Sequence, residues 1–416
     1  MKFPPNPRKA SEGVFASFSI RSFRFQWFAD VLSTWGFEME TLILSWYILV
    51  ETDSAVLLAA VGALRFCGTL FCPFAGVIAD RFSLRQVMVC LRVVLTLLAL
   101  VIIVSDAMGV LGPAIIFFVA AGTGLLRPAE QVIRNALIAE TVPEGMLANA
   151  VGYSRATTDS ARVVGALAGA GLLVAIGIAW AYTVITVMYL ATIALTFKVT
   201  NLPPYARSPA TPVKDLVSGF KYVHNDRLIR LMMWLALLAN VTAFPLTHGL
   251  LPVVARELYG LGEVGLASML AVAAVGSLIG SLFVAGGLKT GRAETFMLIG
   301  MVGWHALVWI FVVLPPSTFA WMVLGVLGFA SSAAMSTMAV SLLNHAKPAY
   351  RGRVMGVRML AVYGLPVGLM LGGFLTEEFG VVTTLSWYGG IGLVLSVWAM
   401  IRWKALTEPR FVKQFD

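Results

Sequence analysis

Apolar segments of about 20 residues alternate with short polar connections along almost the whole chain. A segment of that length, wound as an α-helix, is long enough to cross the hydrocarbon core of a membrane. Twelve spans are predicted, at residues 25–50, 55–79, 87–105, 111–133, 148–176, 178–198, 228–255, 264–288, 295–314, 318–343, 354–376 and 381–403. The pattern therefore predicts an all-α, multi-pass membrane protein.

Composition agrees with a chain that lies in a bilayer. Hydrophobic residues make up 59% of the 416 residues and charged residues 12%, with a mean hydropathy of +0.87. Soluble domains carry about twice that share of charge. The net charge is +9, and if both termini are cytoplasmic, the basic connections lie on the cytoplasmic side while the opposite face keeps only Arg256. We therefore expect membrane lipid, and no nucleic acid, beside the basic loops.

A proline-containing connection separates the first six predicted spans from the last six. Its prolines are Pro203, Pro204, Pro209 and Pro212. The predicted division has a cytoplasmic N-terminal segment at 1–22, a six-helix half at 23–198, a cytoplasmic linker at 199–226, a second six-helix half at 227–403 and a cytoplasmic tail at 404–416.

The bend between the second and third predicted spans combines a glycine with opposite charges, in Gly76, Asp80, Arg81 and Arg85. A carboxylate beside arginines can hold two helix ends together, although an ordinary basic loop would also carry such arginines. With six spans on each side of a linker, the bend resembles the loop between the second and third helices of the major facilitator superfamily, except that Leu84 stands where a glycine is usual. The resemblance implies two six-helix halves that rock about a site at the membrane midplane.

A closer resemblance, to bacterial drug and siderophore exporters typified by macrolide efflux proteins and the enterobactin exporter, covers nearly the whole chain. It rests on Phe23 and Arg24, Arg65, the stretch 128–149 with Pro143 and Asn149, Arg162 to Gly165, and Gly352 to Gly356. It implies proton-coupled export of a solute across the bacterial inner (cytoplasmic) membrane, and we expect a functional monomer without a cofactor. The fifth span, with Gly165, Gly169 and Gly171 but Ala166 in place of a proline, looks like a degraded antiporter signature. Close helix packing by small residues is at least as good an explanation of these glycines.

One side of the first predicted span is polar. At about 100° per residue, Asp30, Thr34, Glu38 and Thr41 fall on that side, and such a stripe cannot face lipid. In the superfamily the first, fourth, seventh and tenth helices line the cavity, so the stripe is expected to face it. We predict Glu38 as the proton carrier, with Asp30 as an inner relay or as a partner for Arg127. The alternative for each acid is a permanent ion pair.

Other charges inside the spans are predicted to pair with one another. Similar depths in neighbouring spans predict a buried pair between Glu40 and Arg65. On the fifth span, Arg155, Asp159 and Arg162 follow at helical spacing, which favours local ion pairs. Asp159 is also a reserve candidate for proton coupling.

Candidate cavity and gate residues follow from the expected helix positions. Arg127 either binds anionic groups of the solute through its guanidinium fork or completes a cytoplasmic latch, and Arg134 is expected in the latch. The other cavity candidates are Thr34, Glu38, Thr41, Asn240, Phe244, Thr247, Ser332 and Ser336, and the other gate candidates are Gly76, Asp80, Arg81, Arg85, Arg353 and Arg358. Neutral polar groups beside aromatic surfaces suit an amphipathic organic solute, such as a drug or a siderophore.

Other classes of function have less support. No zinc-protease motif or phosphate-binding loop occurs, and His224, His248, His305 and His345 are scattered. Neither an enzyme nor a metal site is therefore expected. Import on the same scaffold, as symport or uniport, is the main alternative to export, because the sequence carries no visible sign of direction.

The bend predicts a test of gating. Asp80 is expected to approach the start of the eleventh helix, near Arg353 and Arg358, when the cytoplasmic side is closed. An Asp80→Asn variant should therefore shift the balance between inward-facing and outward-facing states and alter the transport rate. Normal transport with an unchanged balance would refute the latch.

Overall fold

The computed structural model describes residues 16–71, 82–201, 212–285, 293–314, 318–347 and 350–407. Regular structure within these ranges is entirely helical. The predicted all-α membrane fold is therefore confirmed. Contacts divide the chain into two compact units, the first containing Met1–Ala210 and Leu261–Ala271 and the second containing Thr211–Gly260 and Val272–Asp416. The five-segment division remains a prediction.

Five α-helices are described before residue 202. They are α1 Arg21–Thr52, α2 Ala55–Leu64, α3 Leu84–Ala107, α4 Pro113–Thr141 and α5 Glu144–Phe197, with short 3₁₀ turns at Ala16–Ser19 and Cys67–Phe71. Local sequence explains two of the starts: the Ser54 hydroxyl accepts a hydrogen bond from the Leu57 amide at 3.1 Å, and Pro113 opens α4.

A sharp break divides α5 at Gly177. This glycine has φ 75° and ψ 175°, a conformation that residues with a Cβ rarely adopt. It separates an N-terminal arm (144–176) from a C-terminal arm (178–197). The break lies where the sequence predicts the boundary between the fifth and sixth spans.

The remaining helices follow residue 211. They are α6 Pro212–Asn225, α7 Arg227–Thr242, α8 Glu263–Ala285, α9 Ala293–Val313, α10 Thr318–His345, α11 Arg351–Ala361, α12 Gly364–Phe379 and α13 Val381–Thr407. After α7 the chain is mostly helical as far as Leu258 and widens into π-helical turns at Leu246–Leu250 and Val254–Leu258. The Asp226 carboxylate caps α7 by accepting hydrogen bonds from the amides of Leu228 and Ile229, both at 3.0 Å.

Within the described ranges, eight helical stretches are long and apolar enough to cross a membrane. They are Leu84–Ala107, Asn149–Phe197, Arg227–Leu258, Glu263–Val284, Ala293–Val313, Phe319–His345, Arg353–Phe379 and Val381–Trp403. The second of these contains the break at Gly177, and α1 and α4, of 32 and 29 residues, are also long enough to span but carry several charged residues. The count of twelve spans remains a prediction.

Two glycines of α5 allow it to lie directly on α1. A Cβ atom at Gly169 would lie 2.9 Å from the Cα of Met39, and one at Gly165 would lie 2.7 Å from the Cβ of Glu38. Gly171 faces open space, with no atom within 4 Å of a Cβ built there. Close helix packing, one of the two explanations given in the sequence analysis, therefore accounts for Gly165 and Gly169.

This packing predicts different effects for two alanine substitutions on the same helix. Gly169→Ala should lower the free energy of unfolding by about 1–3 kcal/mol, because α1 must shift to admit the methyl group. Gly171→Ala is the matched control and should be neutral or stabilising by up to about 1 kcal/mol, since alanine favours helix and meets no neighbour. Denaturant unfolding of the purified variants in detergent measures both. Equal stability of the two variants would contradict the assigned contact.

Candidate functional site

Charged side chains from three helices meet inside the first unit. Asp30 of α1, Arg92 of α3, and Glu130 and Arg134 of α4 are all at most 3% exposed. Each ion costs several kcal/mol to remove from water unless partners compensate for the lost hydration. We call these four residues together with Arg127, whose side chain is 10% exposed, the charge cluster.

Helical register explains why Arg92 lies inside. Buried positions of α3 recur at Met88, Arg92, Leu95 and Ala99. The opposite side exposes apolar residues at the same spacing, namely Val93, Leu97, Leu100 and Val104. In a membrane the second side suits lipid, so the first side carries Arg92 into the bundle.

Two carboxylates hold the charge cluster together. Asp30 Oδ1 lies 2.6 Å from Arg92 Nη2 and 3.5 Å from Arg134 Nε. Glu130 bridges two further cations, with Oε1 3.3 Å from Arg92 Nε and Oε2 2.6 Å from Arg127 Nη1. Arg92 therefore joins the two acids, and the ion pairs connect α1, α3 and α4.

Arg127 extends the charge cluster toward a further acid. Its Nη2 donates to the Ser33 carbonyl at 2.6 Å and to the Tyr189 hydroxyl at 3.1 Å. The Tyr189 hydroxyl in turn donates to Glu40 Oε2 at 3.3 Å. Ser33 Oγ donates to Glu130 Oε1 at 2.8 Å, so the hydrogen bonds run without interruption from Glu130 to Glu40.

Neutral groups accept further hydrogen bonds from Arg92 and Arg134, the two least exposed arginines of the charge cluster. Arg92 Nη1 donates to the Thr196 hydroxyl and, at 3.5 Å, to the Thr192 carbonyl, both on the C-terminal arm of α5. Arg134 Nη2 donates to the Thr34 hydroxyl at 3.2 Å. These bonds add the C-terminal arm of α5 to the elements that the charge cluster joins.

Arg65 lies at the edge of the charge cluster, directly after α2. Its guanidinium carbon is 4.8 Å from the centroid of the Phe37 ring, and that of Arg127 is 4.3 Å from the same centroid. Arg65 interacts electrostatically with Glu38 and Glu40. Within the described part of the chain it forms no ion pair as short as 4 Å, and both Arg65 and Glu38 are partly exposed.

The structure corrects two of the predicted ion pairs. Glu40 is bonded to Tyr189 rather than paired directly with Arg65, because Tyr189 fills the space beside Glu40 and Arg65 stacks on Phe37. Asp30 pairs with Arg92 and Arg134 rather than with Arg127. Arg127 instead pairs with Glu130, which lies three residues later on α4.

Several gate candidates can be placed, and others cannot. Gly76, Asp80 and Arg81 lie outside the described residues. Arg85 Nη1 donates to the carbonyls of Phe197 and Val199 at 3.3 and 3.2 Å, so it binds the C-terminal end of α5. Arg134, expected in the cytoplasmic latch, is instead buried in the charge cluster, because its position on α4 faces Asp30.

The other charged candidates lie on α5 and α11. The side chains of Arg155 and Asp159 are outside the described part of the structure, and Arg162 is exposed. The guanidinium carbon of Arg353 lies 5.3 Å from the Tyr350 ring centroid. Arg358 Nη2 donates to the Met335 carbonyl at 3.0 Å.

The cavity candidates of the second unit are neutral, and Asn240 and Thr247 have hydrogen-bonding contacts within their own segment. Asn240 donates to the Ala236 carbonyl at 2.8 Å, and Phe244 packs edge-on against Trp304, with 4.7 Å between ring centroids. The Thr247 hydroxyl lies 2.9 Å from His248 Nδ1. Ser332 and Ser336 are partly exposed, as is Thr41 of α1, which donates to the Phe37 carbonyl at 2.7 Å.

Buried polar residues in the described part of the second unit include no Asp, Glu, Lys or Arg. Its most connected polar side chain is His305, at 0% exposure. His305 Nε2 lies 3.0 Å from the Thr242 hydroxyl, and Nδ1 lies 3.1 Å from the Ser396 hydroxyl and 2.9 Å from the Met301 carbonyl. Hydrogen bonds therefore link α7, α9 and α13, whereas ion pairs link the helices of the first unit.

Arg92 and Glu130 lie within the predicted spans 87–105 and 111–133, but the sequence predicts no role for either residue. The structure places both at the centre of the charge cluster. The available signal was their position within apolar segments, because a charge in a span requires a partner. That signal does not say which of several opposite charges the partner is.

The central position of Glu130 predicts a large effect on stability. Glu130→Gln should lower the free energy of unfolding by about 3–5 kcal/mol, since Arg92 loses one partner and Arg127 loses its ion pair in a dry interior. Glu51→Gln, an exposed position near the end of α1, is the control and should change it by at most about 0.5 kcal/mol. Denaturant unfolding in detergent measures the difference. A Glu130→Gln protein as stable as the Glu51→Gln control would show that the ion pairs do not stabilise the fold.

Comparison with known sequences identifies relatives along most of the chain. The sequence model of the transmembrane secretion effector family matches residues 12–409. The chain is 25% identical over 358 residues to the staphyloferrin A transporter of Staphylococcus aureus, covering 83% of this chain and 87% of the relative. It is also 25% identical over 405 residues to the multidrug efflux pump Tap of Mycobacterium tuberculosis, covering 94% and 95%.

Solved structures of transporters share the fold. A POT family transporter in complex with a thioalcohol-conjugated peptide superposes with a TM-score of 0.72 at 11% identity, covering 93% of this chain and 97% of that chain. The nucleoside transporter NupG superposes with a TM-score of 0.69 at 15% identity, covering 91% and 99%. At such identities the likeness concerns the fold alone, and it confirms that the all-α chain has the fold of these transporters. The chain therefore belongs to the transmembrane secretion effector family of the major facilitator superfamily, whose members are multi-pass membrane transporters of small-molecule solutes and not enzymes.

Proposed function

We propose that this transporter exports an amphipathic organic solute in exchange for protons, by alternating access across the bacterial inner membrane. The observation that carries the proposal is the position of Glu38, a partly exposed carboxylate beside a buried set of ion pairs. The two named relatives support the class of solute, since one is a siderophore transporter and the other a drug efflux pump. The name of the second also supports the direction. A functional monomer with both termini in the cytoplasm belongs to the same proposal.

Charge counting supports a single exchangeable proton. The charge cluster and its surroundings contain four acids and four arginines: Asp30, Glu38, Glu40 and Glu130, and Arg65, Arg92, Arg127 and Arg134. With all eight ionised the set is neutral. Protonation of any one acid leaves one positive charge without compensation in a medium of low dielectric constant. A proton is therefore best accepted where water can reach and no ion pair is broken.

Glu38 meets both conditions better than the other acids. Asp30 and Glu130 are buried and directly paired with arginines, and Glu40 is buried and bonded to Tyr189. Asp30, predicted as an inner relay, is held by two arginines, so protonation of Asp30 would disrupt two ion-pair contacts. Glu38 is partly exposed, and a charged group within a span directs its exposed part toward water rather than lipid.

Exchange follows from competition at Glu38. A proton or the cationic group of a solute can neutralise this carboxylate. Either one raises the net charge of the set from zero to +1, and both together would raise it to +2 in a medium of low dielectric constant. Binding of one therefore favours release of the other, which is the condition for antiport. The proposal also includes the predicted cytoplasmic gate, in which Asp80 approaches the start of α11 when the cytoplasmic side is closed.

A proton-flux measurement tests the proposal. In vesicles that contain the purified protein and an internal pH indicator, addition of ethidium or 3-(1-pyrenyl)alanine should drive protons in the direction opposite to the solute. Glu38→Gln should abolish this coupled flux, because glutamine cannot bind a proton in its place. The control Glu51→Gln should keep it.

Two outcomes would contradict the proposal. Solute and proton flux in the same direction would indicate symport, as expected of an importer. Unchanged coupled flux in Glu38→Gln would remove Glu38 from the mechanism.

A further inference from the structure

Glu38 and Arg65 carry opposite charges near each other without forming an ion pair. They interact electrostatically, yet in the described part of the chain no nitrogen of Arg65 lies within 4 Å of a carboxylate oxygen. Arg92, Arg127 and Arg134 each have such a contact. A partly exposed acid and a partly exposed arginine therefore lie in one region, and each can bind a group of a ligand because neither is engaged in an ion pair with the other.

Close backbone contacts fix the position of Arg65. A Cβ atom at Gly124 of α4 would lie 2.6 Å from the Arg65 Cα, and one at Gly68 would lie 2.6 Å from the Leu125 Cα. The chain after α2 thus lies directly on α4, one turn before Arg127. This contact brings the guanidinium groups of Arg65 and Arg127 to the same ring, that of Phe37.

Unused hydrogen-bonding capacity surrounds these two arginines. The Tyr182 hydroxyl is buried and has no hydrogen-bond partner among the described residues, and it interacts electrostatically with Arg65 and Glu40. Arg127 Nε is likewise buried without a partner in the described structure. A buried donor without a partner costs about 1–3 kcal/mol, so a ligand oxygen that accepts from it binds with that advantage.

We infer that the solute is a zwitterion, whose carboxylate binds Arg65, Arg127 and the Tyr182 hydroxyl and whose ammonium group binds Glu38. This inference rests on the proposed transport function. The planar guanidinium fork matches two carboxylate oxygens, and Phe37 offers an aromatic surface to an apolar body. The ammonium group replaces the proton on Glu38, so one proton is released to water for each zwitterion bound.

Charge balance selects this class over single-charged solutes. With Glu38 ionised the eight charged groups sum to zero, and a zwitterion leaves the sum at zero. A cationic solute would leave Arg65 facing an added positive charge. An anionic solute would place its carboxylate near an ionised Glu38, or would bind with Glu38 protonated, which couples binding to proton uptake rather than to the proton release of the proposed exchange. Each mismatch costs more here than in water because the region is largely dry.

Four probes with the same aromatic body test the inference. They are 3-(1-pyrenyl)alanine, its methyl ester, its N-acetyl derivative and its N-acetyl methyl ester, which are zwitterionic, cationic, anionic and neutral. Binding to the full chain in nanodiscs is measured at equilibrium, without a gradient, by energy transfer from tryptophan to pyrene. Size-exclusion profiles and thermal unfolding show that each variant is folded.

The zwitterion should bind about tenfold or more tightly than each of the other probes, the effect of one charge-assisted hydrogen-bonding group. Arg65→Gln should weaken binding of the zwitterion and narrow its advantage over the methyl ester, because one of the three proposed carboxylate partners is lost, while binding of the ester is unchanged. Glu38→Gln should likewise weaken binding of the zwitterion, to the affinity that the N-acetyl derivative has. Arg162→Gln, at an exposed position on α5, should keep the wild-type order.

Equal affinities for the four probes, discrimination that survives both substitutions, or no saturable binding of the zwitterion to folded wild-type protein would each overturn the inference. These outcomes are separable from failure of the proposed function. Loss of proton coupling with intact discrimination refutes only the exchange mechanism. Coupled flux of ethidium with equal probe affinities refutes only the zwitterion site.

Discussion

The cost of burying charge is the constraint on which the first unit depends. Asp30, Arg92, Glu130 and Arg134 are nearly inaccessible, and none of them could remain ionised there without the others. Their contacts join α1, α3 and α4, and the hydrogen bonds of Arg92 add the C-terminal arm of α5. A buried ion pair contributes less net stability than its short distances suggest, but any misplaced helix would leave a charge unpaired. The ion pairs therefore specify how these helices are registered more than how tightly they associate.

Glycine contacts and ion pairs have complementary roles in this packing. In a bilayer the apolar surface of a helix gains little by leaving lipid, so close approach and polar contacts must hold helices together. Gly165 and Gly169 bring α5 onto α1, and Gly124 brings the chain after α2 onto α4. The described second unit has close glycine contacts as well, but its buried polar residues, centred on His305, are joined by hydrogen bonds. The two units thus share a fold while differing in the polar chemistry of their interiors.

Span positions could be predicted from the sequence because bilayer thickness imposes a length and an apolar composition. Even the break at Gly177 was predictable, since only glycine readily adopts its backbone conformation. The partners of the buried charges were not predictable in the same way. Asp30 has several arginines at similar depth on neighbouring spans, and the choice of Arg92 and Arg134 depends on helix rotation and on side-chain reach. The predicted pair of Glu40 and Arg65 was wrong because Tyr189, from a distant part of the chain, is the hydrogen-bond partner of Glu40.

In our proposal, the residues of the charged region that hold helices together differ from those that bind the solute. Residues that are fully buried and doubly paired, such as Arg92 and Glu130, have no free donor or acceptor directed toward a solute, so their role is to hold helices. Glu38 and Arg65 are partly exposed and form no ion pair within 4 Å in the described part of the chain. In our proposal Glu38 exchanges the proton and Arg65 binds the solute. Arg127 connects the two parts, since it pairs with Glu130 on one side and shares the Phe37 ring with Arg65 on the other. In our proposal, a change of ligand at Arg65 is therefore coupled to the ion pairs through Arg127, which links solute binding to the contacts that hold the helices.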